Sequence, residues 1–212
     1  MSVLARLATA LNRRDEVANV ALAEDIVKKS DGSAVRELVD NLSTRDKSIQ
    51  SDCIKVLYEI GEREPKLIAK HWAAFGELLD SANNRLVWGA MTALDQIALA
   101  APQKVFGLLP KVRTAAETGS VITRDHAVGI LTKLGTLKQY ASACFPLIIE
   151  QLKNCPNNQL PMYAEMSLAI ATDKNKSALH KTIAQRMDRL EKETQKKRVL
   201  KVLKRLTSGP ES

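Results

Sequence analysis

Aromatic residues are scarce in this sequence of 212 residues, at 4% of the total, and few segments alternate Val, Ile or Tyr with polar residues. Glycine and proline are also few, with nine and seven copies. β-Sheets draw on aromatic and β-branched residues, so this composition argues against a β protein. Alanine and leucine, which favour helices, are frequent. We therefore expect an all-α protein.

Cysteine is limited to Cys53, Cys144 and Cys155. Because the number is odd and no pair has the spacing of a zinc finger, we expect reduced thiols and a cytoplasmic location. No apolar run reaches the roughly 18 residues that a membrane helix needs, and the first residues do not resemble a secretory signal. We predict no metal, no cofactor and no membrane association.

Motifs typical of enzymes are also missing. The sequence has no Gly-rich phosphate loop and no His-Glu-x-x-His motif, and His71, His126 and His180 lie far apart. Asp125 and His126 are sequence neighbours, which point about 100° apart on a helix, so their spacing does not make a catalytic dyad. These observations predict a protein that is not an enzyme.

The sequence does contain a repeat of 37 residues. Six positions recur at this interval through four units, and only Thr123 and Lys153 among them are not apolar. At these two places we expect the neighbours Ile122 and Leu152 to take over the apolar role. The first unit supplies Leu38, Leu42, Ile49, Cys53, Leu57 and Ile60, and the second Phe75, Leu79, Leu86, Ala90, Leu94 and Ile97.

Spacing within each unit predicts two helices joined by a turn. Gaps of three and four residues place side chains on one helical face, and a gap of seven spans polar loop-forming residues. Pro65 and Pro102 are 37 residues apart and suit the first turn of a helix. Gly61 and Gly135, near the ends of second helices, are expected to form left-handed caps.

Two segments carry a family resemblance, Leu109-Pro110-Lys111-Val112 and Phe145-Pro146-Leu147-Ile148. With the small residue and the leucine that recur in each second helix, they resemble the HEAT/armadillo superfamily over about residues 31–179. The resemblance implies a right-handed α-α superhelix, a solenoid of about five to six helical hairpins. The Val-Arg pair of HEAT repeats is absent, which leaves the choice between HEAT and armadillo open.

We predict a single domain of this fold across residues 1–212. Its parts are an N-terminal cap at 1–30, repeats at 31–67, 68–104, 105–141 and 142–178, a basic capping hairpin at 179–206 and a frayed tail at 207–212.

Solenoids bind partners on a concave surface, which we expect the second helices to line. The outward positions of these helices predict a partner-binding set of Asp52, Lys55, Trp88, Thr92, Asp125, His126, Lys133 and Tyr163. Aromatic anchors among polar groups suit a peptide or helix, so the main prediction is a protein-binding scaffold. The alternative is that Trp88 and Tyr163 pack between repeats.

Positive charge is concentrated at the C-terminal end. Residues 174–206 have twelve Lys and Arg against three acids, whereas residues 1–172 carry a net charge of only +1. Candidate contacts for nucleic-acid phosphates are Lys196, Lys197, Lys201, Lys204 and Arg205. The same residues also suit a solvated capping helix. A third alternative is a HEAT-like alkylpurine DNA glycosylase. Trp88, Asp125 and Tyr163 loosely resemble the residues in the cleft of that family.

Overall fold

The structure is a computed structural model that describes residues 2–208. This part of the chain contains α-helices and short 3₁₀ turns but no strand, which confirms the all-α prediction. The first six helices are α1 (Val17–Lys29), α2 (Gly32–Asp40), α3 (Lys47–Arg63), α4 (Pro65–Ala69), α5 (Trp72–Leu78) and α6 (Asn84–Ile97). The others are α7 (Pro102–Gly107), α8 (Leu109–Thr118), α9 (Val121–Gly135), α10 (Lys138–Asn154), α11 (Leu160–Ser167), α12 (Lys176–Ala184) and α13 (Glu193–Thr207). The 3₁₀ turns are Val3–Arg6, Asn41–Ser43, Leu168–Ile170 and Met187–Arg189.

The helices group into two compact units, one up to Ala127 and one from Val128 onward, with the division inside α9. Each unit has a buried apolar core of its own. The predicted repeat boundaries after residues 67 and 104 fall inside α4 and α7. Of the predicted frayed tail, residues 209–212 lie outside the described part of the chain.

Polar caps and prolines explain where the helices begin. Asp31, Asp46 and Asn83 precede α2, α3 and α6, and each side chain accepts hydrogen bonds from backbone N–H groups of the first turn. Pro65 and Pro102 occupy the first turns of α4 and α7, as predicted. These short helices add a third helix to their repeats, an arrangement found among armadillo-type repeats.

The repeat register survives at Thr123, against expectation. Its side chain is fully buried, whereas that of Ile122 is 46% exposed. The Thr123 hydroxyl lies 3.1 Å from the hydroxyl of the half-buried Ser120, so its polar atom has a hydrogen-bond partner. The prediction that Ile122 replaces Thr123 is therefore wrong, because a satisfied hydroxyl can occupy a core position.

The register shifts by one residue in parts of the fourth repeat, whereas Leu160 and Ala164 stay fully buried at their predicted positions. Leu152 is buried and Lys153 is exposed, as predicted. The shift is wider than expected, since Ile148 is buried more deeply than Ile149, and Ile170 more deeply than Ala171. In this repeat α10 runs unbroken through Pro146, where the preceding repeat is divided into α7 and α8.

Second helices of the first unit pack side by side, α1 along α3 and α3 along α6. A Cβ atom built on Gly89 of α6 would lie only 2.6 Å from Cγ1 of Ile54 on α3. The predicted caps Gly61 and Gly135 instead lie within α3 and α9, and no described glycine has a positive φ. The left-handed-cap prediction is therefore wrong: Gly61 faces Gln96 and Gly135 faces Ile170 at distances too short for a side chain.

Arg186 ties the C-terminal helices to the end of α10 in the second unit. Its side chain is buried, and its guanidinium donates to the carbonyls of Leu152, Lys153 and Cys155 at 2.9, 2.6 and 2.8 Å. The carbonyl end of a helix carries partial negative charge, which compensates the buried cation. One of the C-terminal basic residues is thus a structural cap.

Replacing Gly89 with alanine should lower the free energy of unfolding by about 1–2 kcal/mol, because the added methyl group overpacks the contact with Ile54. Gly107→Ala is the matched control, since a Cβ at Gly107 meets nothing within 4 Å. Urea titration followed by circular dichroism measures both. Equal stability of the two variants would contradict the close-approach explanation.

Removing the guanidinium of Arg186 by substitution with alanine should reduce the free energy of unfolding by about 2–4 kcal/mol, because several buried carbonyls lose a charged donor. Arg189→Ala removes an exposed arginine from the same segment and should change stability little. The same urea titrations test this pair, and an unchanged midpoint for Arg186→Ala would refute the capping role.

Candidate functional site

The prediction that Asp52 faces solvent is wrong, because the N-terminal segment and α1 cover it. Its side-chain oxygens accept hydrogen bonds from the Thr9 backbone N–H and the Asn19 side-chain amide, each at 2.8 Å. Asn19 is itself fully buried. The predicted cap therefore includes a helix that packs on α3 in the way that α3 packs on α6. Asp52 lies between these helices and cannot meet a partner directly.

Lys55 and Thr92 are also buried, each 8% exposed, so their predicted outward orientation is wrong. The Lys55 ammonium forms ion pairs with Glu16 at 2.8 Å and Glu59 at 2.7 Å. The Thr92 hydroxyl donates to the backbone carbonyl of Trp88 at 2.8 Å. Both side chains therefore lie beneath the exposed surface and offer little accessible area to a ligand.

His126 pairs with a residue that the sequence had not singled out. Its Nδ1 lies 2.8 Å from Oδ2 of Asp95 on α6, so the imidazole is directed at the preceding second helix. Asp125 is half-buried. His126 keeps 29% of its side chain exposed, which leaves part of the ring accessible.

Lys133 and Tyr163 belong to the second unit. Lys133 is half-buried, but Tyr163 is fully buried, so its prediction as an accessible anchor is wrong. The buried face of α11 is wider than the predicted stripe, because Tyr163 is buried beside Ala164, which keeps its predicted core position. Tyr163 is one of the three residues that resemble a glycosylase cleft, and its buried ring is not accessible to a ligand.

Trp88 keeps an accessible ring and has an aromatic neighbour. Tyr58 on α3 and Trp88 on α6 are both half-buried, with ring centroids 5.6 Å apart and planes tilted by 49°. The Arg85 guanidinium lies 5.8 Å from the Trp88 ring, and the Lys55 ammonium lies 4.8 Å from the Tyr58 ring. Such distances are within the range of cation–π attraction. We call Glu16, Lys55, Tyr58, Arg85 and Trp88 the aromatic cluster.

Glu16 joins the two cations of the aromatic cluster. Its carboxylate oxygens lie 2.8 Å from the Lys55 ammonium and 2.8 Å from the Arg85 guanidinium. The hydrogen bond from Lys55 lowers the pKa of Glu16. Burial disfavours the charge on Lys55, but its hydrogen bonds with Glu16 and Glu59 outweigh burial and raise its pKa. Both groups are therefore charged at neutral pH.

Residues at equal repeat positions did not indicate Tyr58 or Asp95 as site residues. Glu16 and Arg85 are 69 residues apart, a separation that the period of 37 does not match either. The pairs that Tyr58 and Asp95 form across neighbouring second helices are separated by less than the period. Tyr58 and Trp88 are 30 residues apart, and Asp95 and His126 are 31 apart. A search for complementary residues at this shorter separation would have found both pairs.

Other kinds of site find little support in the described residues. No cluster of three or more potential metal ligands occurs among residues 2–208. Within the same range, no helix is long and apolar enough to cross a bilayer. The three cysteines are buried, and burial raises the pKa of Cys53 to about 12 and that of Cys144 to about 11. Thiols held in the protonated form are poor nucleophiles.

Comparison with known proteins identifies the fold. A crystal structure of computationally designed armadillo repeat proteins for modular peptide recognition matches with a TM-score of 0.68 at 14% identity, over 89% of this chain and 92% of that one. A designed armadillo repeat protein in complex with the peptide (KR)4 also has a TM-score of 0.68, at 15% identity, over 97% and 100% of the chains. This protein has the armadillo/HEAT-like helical-repeat fold.

An engineered protein gives a third match, with a TM-score of 0.64 at 16% identity over 97% of each chain. No family model matches the sequence, and no curated protein matches it. At these identities the armadillo-like likeness establishes the fold, and the functional argument rests on the residues of this chain.

Substituting Glu16 with glutamine should lower the melting temperature of this armadillo-like protein at neutral pH, because Lys55 and Arg85 lose a charged partner. A carboxylate with a lowered pKa in the folded state stabilises it above the unfolded pKa, and this stabilisation is lost as the pH falls through the folded pKa. The gap between wild type and Glu16→Gln should therefore close below about pH 4. Melting curves across this range, with the exposed Glu62→Gln as control, test the sign.

Proposed function

We propose that this protein is a non-enzymatic scaffold that binds a peptide segment of a partner protein at the aromatic cluster. The observation that carries the proposal is the half-buried Tyr58–Trp88 pair on neighbouring second helices. Large aromatic side chains contribute much of the binding energy at protein interfaces. A pair held by its own helices requires little ordering when a ligand arrives.

Charges beside the pair supply directional contacts for a peptide. Glu16 and Arg85 pair with one another, yet 46% and 42% of their side chains remain exposed. Arg85 can therefore donate further hydrogen bonds to a peptide carbonyl or carboxylate, and Glu16 can accept one from a peptide N–H. The combination of apolar area with both signs of charge suits an extended peptide that carries an apolar side chain.

Exposed apolar residues elsewhere in the first unit add to this support. Val121 and Ile122 begin α9 with 45% and 46% of their surface exposed, and Leu99, just after α6, is 54% exposed. Aliphatic side chains of this size are usually covered in a folded protein. A protein partner that also contacted these residues would bury apolar surface on more than one second helix.

The comparisons support a peptide ligand in a general way. The similar designed armadillo proteins are described in terms of modular peptide recognition, and one of them is in complex with (KR)4. The aromatic cluster pairs both of its cations with carboxylates, so we do not carry the basic peptide over to this chain. The proposed ligand class is a segment with an apolar anchor and mixed polar groups.

The matched pair Trp88→Ala and Trp72→Ala tests the proposal. Both tryptophans are half-buried with a cation over the ring, but Trp72 lies on α5, which is not a second helix, and contacts Lys104. We expect Trp88→Ala to weaken retention of partner proteins on the immobilised chain by at least tenfold, and Trp72→Ala to retain them. Mass spectrometry of the eluates, with melting curves for both variants, measures the difference.

Equal retention of the same proteins by folded Trp88→Ala would contradict a binding role for the aromatic cluster. A large loss of thermal stability in Trp88→Ala but not in Trp72→Ala would assign Trp88 to packing instead. Direct titration of a retained partner's peptides then identifies the segment that binds.

A further inference from the structure

The last helix of the second unit, α13, has one buried and one strongly basic face. Val199, Val202, Leu203 and Leu206 are buried, and α13 packs against α11 and α12. The opposite face exposes a second set of four residues. We call Lys197, Lys201, Lys204 and Arg205 the α13 basic face.

Two acidic residues at α13 are already paired with other cations. Glu165 forms a two-point contact with Arg198 at 2.6 and 2.8 Å, and Glu193 pairs with Lys196 at 3.1 Å. Within residues 2–208, no carboxylate lies within ion-pair distance of any member of the α13 basic face. The four cations on this helical surface therefore form no ion pair with a described carboxylate, although the charge of Lys201 helps to lower the pKa of Glu165, after the larger effect of Arg198.

The arrangement of these cations is regular. Lys197, Lys201 and Lys204 recur at helical spacing. Arg205 follows and shares a groove with Glu165 of α11. At about 1.5 Å per residue, the four charges extend over about 12 Å of helix. Beside them runs an open groove of about 660 Å³ between α11 and α13, whose lining includes Glu165, Leu168, Arg198, Lys201 and Arg205.

We propose that the α13 basic face binds the phosphate backbone of double-stranded nucleic acid, independently of base sequence. One strand of a duplex presents a phosphate about every 3.4 Å, so 12 Å of helix faces about three to four phosphates, which matches the four free cations. Flexible lysines suit contacts with phosphates that need no fixed geometry, and Arg205 adds a planar donor at the groove.

A duplex fits better than a single strand because the groove offers no surface for base stacking. Proteins that bind single strands without sequence preference place aromatic side chains along the strand. In the second unit Tyr140 and Tyr163 are buried, Phe145 is half-buried on α10, and the lining of the groove includes no aromatic residue. This inference is independent of the proposed peptide binding, since it rests on residues of the second unit alone.

Fluorescence anisotropy on the full chain tests the proposal. One arm uses a labelled 20-base-pair DNA duplex, and the other uses an RNA duplex of the same sequence. We expect binding to weaken about 100-fold between 50 and 200 mM salt, as about four released counterions predict. The test variant combines Lys197→Gln, Lys201→Gln, Lys204→Gln and Arg205→Gln and should lose most of the affinity and the salt dependence. Its matched control, Lys28→Gln with Lys47→Gln, Lys66→Gln and Lys153→Gln, removes the same charge from exposed lysines elsewhere.

The proposal is supported if the test variant loses binding to either duplex and the control retains it, and the arm that binds more tightly shows whether DNA or RNA is preferred. Equal losses in both variants would show that net charge alone acts, which overturns the proposal. Tighter binding of the matching single strand, or of poly-glutamate, would also overturn it in favour of another polyanion. No binding at 50 mM salt by a chain with an intact melting curve would end it.

Discussion

The close packing of successive second helices is the constraint on which the first unit depends. A single helical hairpin leaves one apolar face uncovered, and α3 buries its sides only because α1 and α6 lie against it. Gly89 sets the spacing at one point, since a side chain there would collide with Ile54. At this distance flank positions such as Asp52 and Lys55 are largely removed from water, although both residues are charged. The packing therefore decides which polar residues need partners.

Polar residues on these flanks form pairs that link neighbouring helices. Asp52 meets Asn19, Lys55 meets Glu16, and His126 meets Asp95. Each pair satisfies groups that the packing has partly or fully buried, and each requires a particular offset between its two helices. These ion pairs and hydrogen bonds thereby fix the offset between neighbouring helices, which apolar burial alone would leave less specific.

Positive charge in the second unit divides into two roles. Arg186 is buried against the carbonyl end of α10, and Arg198 is held by Glu165, so both contribute to the fold. Lys197, Lys201, Lys204 and Arg205 make no comparable contact among the described residues. The number of basic residues in the sequence does not distinguish these two roles. Burial and ion pairing in the structure show which cations stabilise the packing of the helices and which are exposed to solvent.

The period of 37 residues was sufficient, by itself, to determine the all-helical repeat fold and the buried stripe through the second and third repeats. It also placed Trp88 on the accessible side of α6. Only the tertiary structure showed that Asp52, Lys55 and Tyr163 are covered and that Tyr58 lies beside Trp88. The physical reason is that periodicity reports which side of a helix faces its own hairpin, whereas burial at the flanks depends on how closely the next helix approaches.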